Sequence, residues 1–195
     1  MKNLKTIKNI RLRYITALTA IALLVTSSFI MMQHVVSKQR GFSKLVNLAG
    51  HQAGLCNRIT YFISVMAAAE DENEFNIAKA QVGRSMNQMS LAHKSLLEGN
   101  NESGIPYITN QALDKIYQNR MFDLDKSVDR FLSQVRTAYE TDMSVFSDRS
   151  AAYVYITTYG PHVLVPLLDA AVDEYEQIGR NAILQIERFE LMIWI

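Results

Sequence analysis

Residues 45–69 read LVNLAGHQAGLCNRITYFISVMAAA, and this stretch decides the fold class. Leu45, Leu48, Gln52, Leu55, Ile59, Phe62, Met66 and Ala69 recur at alternating spacings of three and four. That is the seam of a helix packed against other helices. Beside it runs a line of mostly small residues: Val46, Ala49, Ala53, Cys56, Thr60, Ile63 and Ala67. Small side chains let another backbone come close. A third line is polar: Asn47, His51, Gly54, Arg58 and Tyr61. A helix with no idle face is expected to lie between a core and a partner.

Toward the N-terminus the helical pattern runs back without a break to an apolar segment, YITALTAIALLVTSSFIMM, at residues 14–32. It carries no charge, and at 1.5 Å per residue it measures roughly 28 Å, close to the ~30 Å hydrocarbon core of a bilayer. Lys2, Lys5, Lys8, Arg11 and Arg13 precede it, with no acid among residues 1–14. Cations on that side predict a cytoplasmic N-terminus. A cleavable signal peptide is the rival reading. The apolar run exceeds an ordinary signal core, and Met31-Met32-Gln33-His34 makes a poor cleavage site. An uncleaved anchor is therefore expected.

Toward the C-terminus, Glu70-Asp-Glu-Asn-Glu74 suits a helix start, because acids favour the positive end of the helix dipole. A second helix is expected over about 75–98, with Phe75, Ala78, Val82, Met86, Met89, His93 and Leu96 on one face. Gly99 to Pro106 is a loop by composition, and Asn110–Asn119 a short helix. A third long helix is expected over about 121–146, with Leu124, Val128, Phe131, Leu132, Val135, Ala138 and Tyr139 buried. Gly160-Pro161 punctuates the chain, and the last helix runs from about 162, its seam held by Leu164, Leu168, Ala171, Tyr175, Ile178, Ala182 and Phe189. The final residues, Phe189-Glu-Leu-Met-Ile-Trp-Ile195, read as an interfacial aromatic leading into a second apolar run.

The expected fold is therefore all-α: an antiparallel four-helix bundle with an N-terminal transmembrane helix. The chain divides into a cytoplasmic basic segment (1–13), a transmembrane helix (14–32), an extracytoplasmic bundle (33–190) and the start of a truncated second span (191–195). Composition agrees with one folded unit: 195 residues, 49% apolar, 20% charged, with a formal net charge of +1. Eight Gly and three Pro are too few for a turn-rich β-sandwich. The lone Cys56 excludes an internal disulfide and a cysteine-based zinc cluster. Residues 15–195 hold 15 basic and 19 acidic residues, so no global basic face awaits nucleic acid.

Catalytic signatures are missing. No glycine sits in a dinucleotide or Walker pattern, and no nucleophile elbow, zinc helix or EF-hand loop occurs. Met86, Met89 and His93 share a helical face that could hold copper, but such a stripe more commonly fills a core. No metal, no cofactor and no enzymatic activity within this chain are expected.

One constellation remains. His51 and Arg58 are seven residues apart, two turns along one helical face, with Gly54 between them and no side chain to block the gap. Asn47, Gln52 and Asn57 add amide groups nearby. In a two-fold homodimer this stripe would face its own copy, and four cations would converge. A small anion would neutralise them, since Arg binds planar oxyanions through paired hydrogen bonds. The bland alternative is an Arg58 paired with another helix and a solvated or core His51.

At these residues the sequence resembles a known family. Asn47-Leu-Ala-Gly-His-Gln-Ala-Gly-Leu-Cys-Asn-Arg-Ile59 is similar to N-x-A-G-R-Q-R-M-L-S-Q-R-I, a segment of the type IV pili methyl-accepting chemotaxis transducer N-terminal domain, the PilJ-type sensor domain. Nitrate/nitrite sensor kinases carry a related input domain. Gly104-Ile-Pro106, the run from Leu124 to Phe131, the run from Leu167 to Tyr175, and Arg188-Phe-Glu-Leu191 continue the resemblance. It implies a periplasmic, dimeric four-helix bundle in the bacterial inner membrane. A small anionic or polar ligand would be read at the dimer interface, and a cytoplasmic signalling domain would follow the second span. Chemotaxis, histidine-kinase and diguanylate-cyclase outputs all occur. In relatives that sense nitrate a motif Arg holds the anion; the matching position here is Ala53, while the first motif Arg is His51 and the last is retained as Arg58. His51 and Arg58 are thus the expected ligand contacts, with Gln52, Asn57 and Asn47 beside them. The rival function is a membrane-anchored bundle that binds a periplasmic protein and no small molecule.

Overall fold

The computed structural model describes the backbone of residues 2–118 and 123–193 and the side chains of residues 10–118 and 123–184. The described residues are helical apart from connecting turns, with no strand beyond a lone bridge between Asn100 and Ile105. In chain order the helices are α1 (Lys2–Ala68), α2 (Glu72–Glu98), α3 (Gln111–Gln118), α4 (Leu124–Glu140), α5 (Ala151–Tyr159) and α6 (Val165–Ile193). A π-helical turn, Gly160–Leu164, joins α5 to α6.

Helix α1 is one uninterrupted rod of 67 residues with two different surroundings. The described part of its first half is exposed: an 18-residue window with mean hydropathy 2.1 has no buried residue. Between Ile10 and Met32 twelve large apolar or aromatic side chains are each at least 50% exposed. Left in water they would forgo about 1.5–3 kcal/mol each, some 20–35 kcal/mol together, more than a domain's whole stability.

The second half of α1 is the centre of the folded unit. Leu45, Gln52, Leu55, Ile59 and Met66 of the first seam are buried, as are Ala49, Ala53, Cys56 and Ile63 of the second. The polar line stays open: Asn47, His51, Gly54, Arg58 and Tyr61 are exposed. Helix α1 packs against α2, α5 and α6, α2 and α5 each pack against α4, and α3 bridges α4 and α6. Phe131 of α4, Ile156 of α5 and Leu164 of the π-turn are fully buried around it.

Capping sets the helix starts. Asp71 accepts the Glu74 N–H at 2.8 Å, Asp123 the Lys126 N–H at 3.0 Å, and Ser150 the Tyr153 N–H at 3.3 Å. Lys126 also donates to Asp123 at 2.6 Å, which holds the Asp123 carboxyl below its ordinary range.

Two expected boundaries are corrected. The third long helix begins at Leu124 and stops at Glu140 rather than reaching 146. Thr141 turns extended, and Thr141, Asp142, Ser144, Ser147 and Asp148 follow, residues whose side chains compete for backbone hydrogen bonds. The last helix begins not at 162 but at Ala151, because Gly160-Pro161 does not break it. Pro161 has no N–H for the carbonyl four residues back, and the chain absorbs the loss as one wide turn, in which Val165 N–H reaches Gly160 O. The Tyr-rich stretch 153–159 is thus helix. The expected second span at 191–195 lies outside the described side chains; the backbone is helical to Ile193.

Gly160 sits where three helices meet. A Cβ there would lie 3.0 Å from Phe131 Cε2, 3.0 Å from Thr60 Oγ1 and 3.3 Å from Cys56 Sγ. Gly160→Ala is expected to cost about 1–3 kcal/mol by overpacking, seen as a lower thermal midpoint in circular dichroism. An unchanged midpoint would show that this junction is loose.

Candidate functional site

The structure distributes the sequence-predicted residues over three environments. Asn47 and His51 are exposed on the outer face of α1 and line one cleft, of about 380 Å³, with Lys44, Leu48, Ser103 and Ile105. Arg58 is not in it. Two turns along, its Nη2 donates to Gln81 Oε1 at 2.8 Å, and its guanidinium lies 5.9 Å from the centre of the Phe62 ring. A neutral amide on α2, rather than an acid, is therefore its partner. Among the described residues no carboxylate pairs with Arg58, and one hydrogen bond leaves most of its donors uncommitted. Asn57 is exposed and Gln52 faces inward at 0% exposure. The structure brings Asn47 to His51 and leaves Arg58, Asn57 and Gln52 apart.

The outer face of α1 is open along its length. Gly50 and Gly54 have no atom within 4 Å of where a Cβ would stand. Asn47, Gly50, His51, Gly54, Asn57 and Tyr61 form one polar and small-residue surface that another helix could approach closely.

Two polar arrangements inside the fold escaped the sequence reading. His93, 5% exposed on α2, shares a hydrogen bond of 2.9 Å between its Nε2 and Asp125 Oδ1 of α4. The reading of His93 as one residue of a buried stripe had no means to find its carboxylate partner, 32 residues away. Tyr175 of α6 donates to Tyr117 of α3 at 3.3 Å, and burial raises both phenol pKa values. Cys56 is fully buried, and burial pushes its thiol up to about 12. It is a packing residue and inert as a nucleophile at neutral pH. Met86 and Met89 lie half and fully buried on α2. Among the described residues no three His, Cys, Asp or Glu side chains come together as a metal site.

Gln52 is one of four residues with buried, unpaired side-chain polar atoms among the described residues. Neither Nε2 nor Oε1 has a hydrogen-bond partner among the described residues. An unpaired buried amide costs on the order of 1–3 kcal/mol. Gln52→Leu keeps the volume and removes both groups, so it should raise the unfolding free energy by about 1–3 kcal/mol in a denaturant titration. A lowered stability would instead reveal a partner for the amide.

No family model matches this chain, and no curated protein and no solved structure matches it.

Proposed function

We propose that the chain is the extracytoplasmic sensing module of a bacterial transmembrane receptor, anchored in the inner membrane by residues 14–32. The observation that carries this reading is the continuity of α1 from Lys2 to Ala68. The helix that forms the centre of the folded unit is the same rod that carries the apolar segment. Any ligand that displaces α1 within the unit displaces that segment too. The twelve exposed apolar side chains support a bilayer as its solvent, and the preceding cations support a cytoplasmic N-terminus.

The folded unit is read as an antiparallel four-helix bundle made of α1, α2, α4 and the joined α5–α6. Contacts in reversed register support it. Arg58 meets Gln81 across α1 and α2, and Lys79 donates to Thr141 O while His93 meets Asp125 across α2 and α4. Phe42 meets Gly179 and Cys56 meets Gly160 across α1 and the α5–α6 run. On this reading α1 and α6 both leave the bundle at the membrane end.

The open face of α1 is proposed as a homodimer contact. Gly50 and Gly54 would let two copies approach, and His51 and Arg58 from each would converge on a small oxyanion. The resemblance of residues 47–59 to the PilJ-type segment leads to the same arrangement. Nitrate is the less favoured anion, since the motif position that holds it is Ala53.

The test is a thermal-unfolding screen of the full chain in detergent against small oxyanions. A ligand at about 100 times its dissociation constant should stabilise the fold by about 2.7 kcal/mol, and His51→Ala or Arg58→Ala should abolish the shift. In parallel, Gly54→Cys in a Cys56→Ala background should form disulfide-linked dimers in membranes, while Asp129→Cys on α4 should not. No shift with any oxyanion would overturn the anion site and favour a protein partner.

A further inference from the structure

Nine Lys and Arg and no Asp or Glu occur in residues 1–69, whereas residues 70–195 hold 11 basic and 19 acidic residues. Three of those cations, Lys38, Arg40 and Lys44, fall just past the apolar run, around Gly41. There the loop after α2 folds back onto α1. Asn100 and Ile105 exchange two backbone hydrogen bonds of 2.8 Å, Gly104 N–H donates to Asn101 O at 3.1 Å, and Ser103 N–H donates to Asn100 Oδ1 at 3.0 Å. Gly104 has φ +65°, and a Cβ there would stand 2.9 Å from Lys44 Nζ. Lys44 Nζ donates to Ser103 O at 2.8 Å, and Pro106 lies against Gly41. The loop is short, internally bonded and fixed to the helix.

Loop and helix enclose two clefts. One, of about 400 Å³, is bounded by Gln33, Ser37, Arg40, Lys44 and Gly104. The other, of about 500 Å³, is bounded by His34, Lys38, Phe42, Pro106 and Ala182. No carboxylate among the described residues lines either cleft. Among the described residues none of Lys38, Arg40 and Lys44 has an ion-pair partner. Cavities of this size accept a small organic ligand.

Position selects the ligand. Arg40 is eight residues past Met32, about 12 Å along the helix. Helical side chains lean toward the N-terminus, here back toward the apolar run, and Arg and Lys carry long stems. The polar zone of a bilayer extends roughly 5–8 Å beyond its hydrocarbon core. The cationic ends of Lys38 and Arg40 therefore reach phosphate depth. We propose that the cleft between α1 and the 100–106 loop binds the phosphate of an anionic phospholipid headgroup, with Arg40 as its ligand and Lys38 flanking it, while Lys44, bonded to Ser103 O, holds the loop against the helix. Arg supplies a bidentate fork and Lys a point charge. The bound headgroup ties the α2–α3 loop to the bilayer surface. This proposal rests on the reading of residues 14–32 as a membrane anchor.

The test uses the full chain purified in detergent, with phosphatidylglycerol, phosphatidylcholine or inorganic phosphate added. Native mass spectrometry should show at least tenfold more phosphatidylglycerol than phosphatidylcholine retained, and phosphatidylglycerol should raise the unfolding midpoint by several degrees. Arg40→Gln should weaken the preference and Arg40→Gln with Lys38→Gln should erase it, while Arg84→Gln on α2 keeps it. Circular dichroism confirms that the variants fold, and Arg40→Gln alone carries the test if the double variant does not. Equal retention of both lipids, or undiminished retention in Arg40→Gln, would overturn the site. The same midpoint rise with inorganic phosphate and no lipid preference would overturn the headgroup as ligand. A wild-type chain released from membranes by alkaline carbonate would overturn the anchor itself, a result separable from lipid preference.

Discussion

A single helix carries two kinds of surface. From Ile10 to Met32, α1 presents apolar side chains in every direction, and from Leu45 to Met66 it buries two of its three faces in protein. No break in helical structure and no proline separates the halves. The rest of the fold follows from the second half. Helix α2 lies along it after a three-residue corner, and α5 and α6 close over the small-residue line. That line is what permits the closest approach, with Gly160 opposite Cys56 and Thr60. Small side chains on both sides bring backbones together, and the fully buried Phe131 fills the space beside them.

Where hydrophobic spacing was unambiguous, structure could be read from sequence. The three lines of α1 separate as the spacing predicts, two inward and one outward, and the stripe of α2 is buried at Phe75, Ala78, Val82, Met89, His93 and Leu96. The misread places have a common cause. Period-based reading sees side chains and not backbone hydrogen bonds, so it ran α4 through Thr141 and Asp142, where local side chains end the ladder. It stopped the last helix at Gly160-Pro161, where a π-turn absorbs the missing donor. Proline signals a lost hydrogen bond; whether the helix ends or widens depends on neighbours 30 to 100 residues away.

The candidate site was legible in the same partial way. Spacing placed Asn47, His51 and Arg58 on one exposed face, and the structure has them there. Spacing also placed Gln52 among their polar neighbours, although its own seam position turns it into the core. The loop contact that gives Asn47 and His51 a cleft joins Lys44 to Ser103 across 59 residues. No local pattern encodes such a contact. Glycine at 104 was visible, but its reason is the left-handed backbone, φ +65°, that the turn adopts there. The buried polar groups add a second layer. His93 with Asp125 and Tyr117 with Tyr175 favour one pairing of helix faces, since a shift by one turn would strand the buried His93, Tyr117 and Tyr175 without their partners.

On the proposed reading, the function of this chain is mechanical before it is chemical. A ligand or partner on the outer face of α1 acts on a rod whose other end lies in the bilayer, and a headgroup at Arg40 and Lys38 holds the base of the unit at the membrane surface. All of this requires that α1 stay helical across the membrane edge. The most direct test is a spin-label distance measurement on the full chain reconstituted in a bilayer. Labels at Ser27→Cys and Asn57→Cys, in a Cys56→Ala background diluted with unlabelled protein, are 30 residues apart. A continuous helix predicts a narrow distribution centred near 45 Å. A broad distribution, or a mean below about 40 Å, would show a break between the two halves and contradict the account.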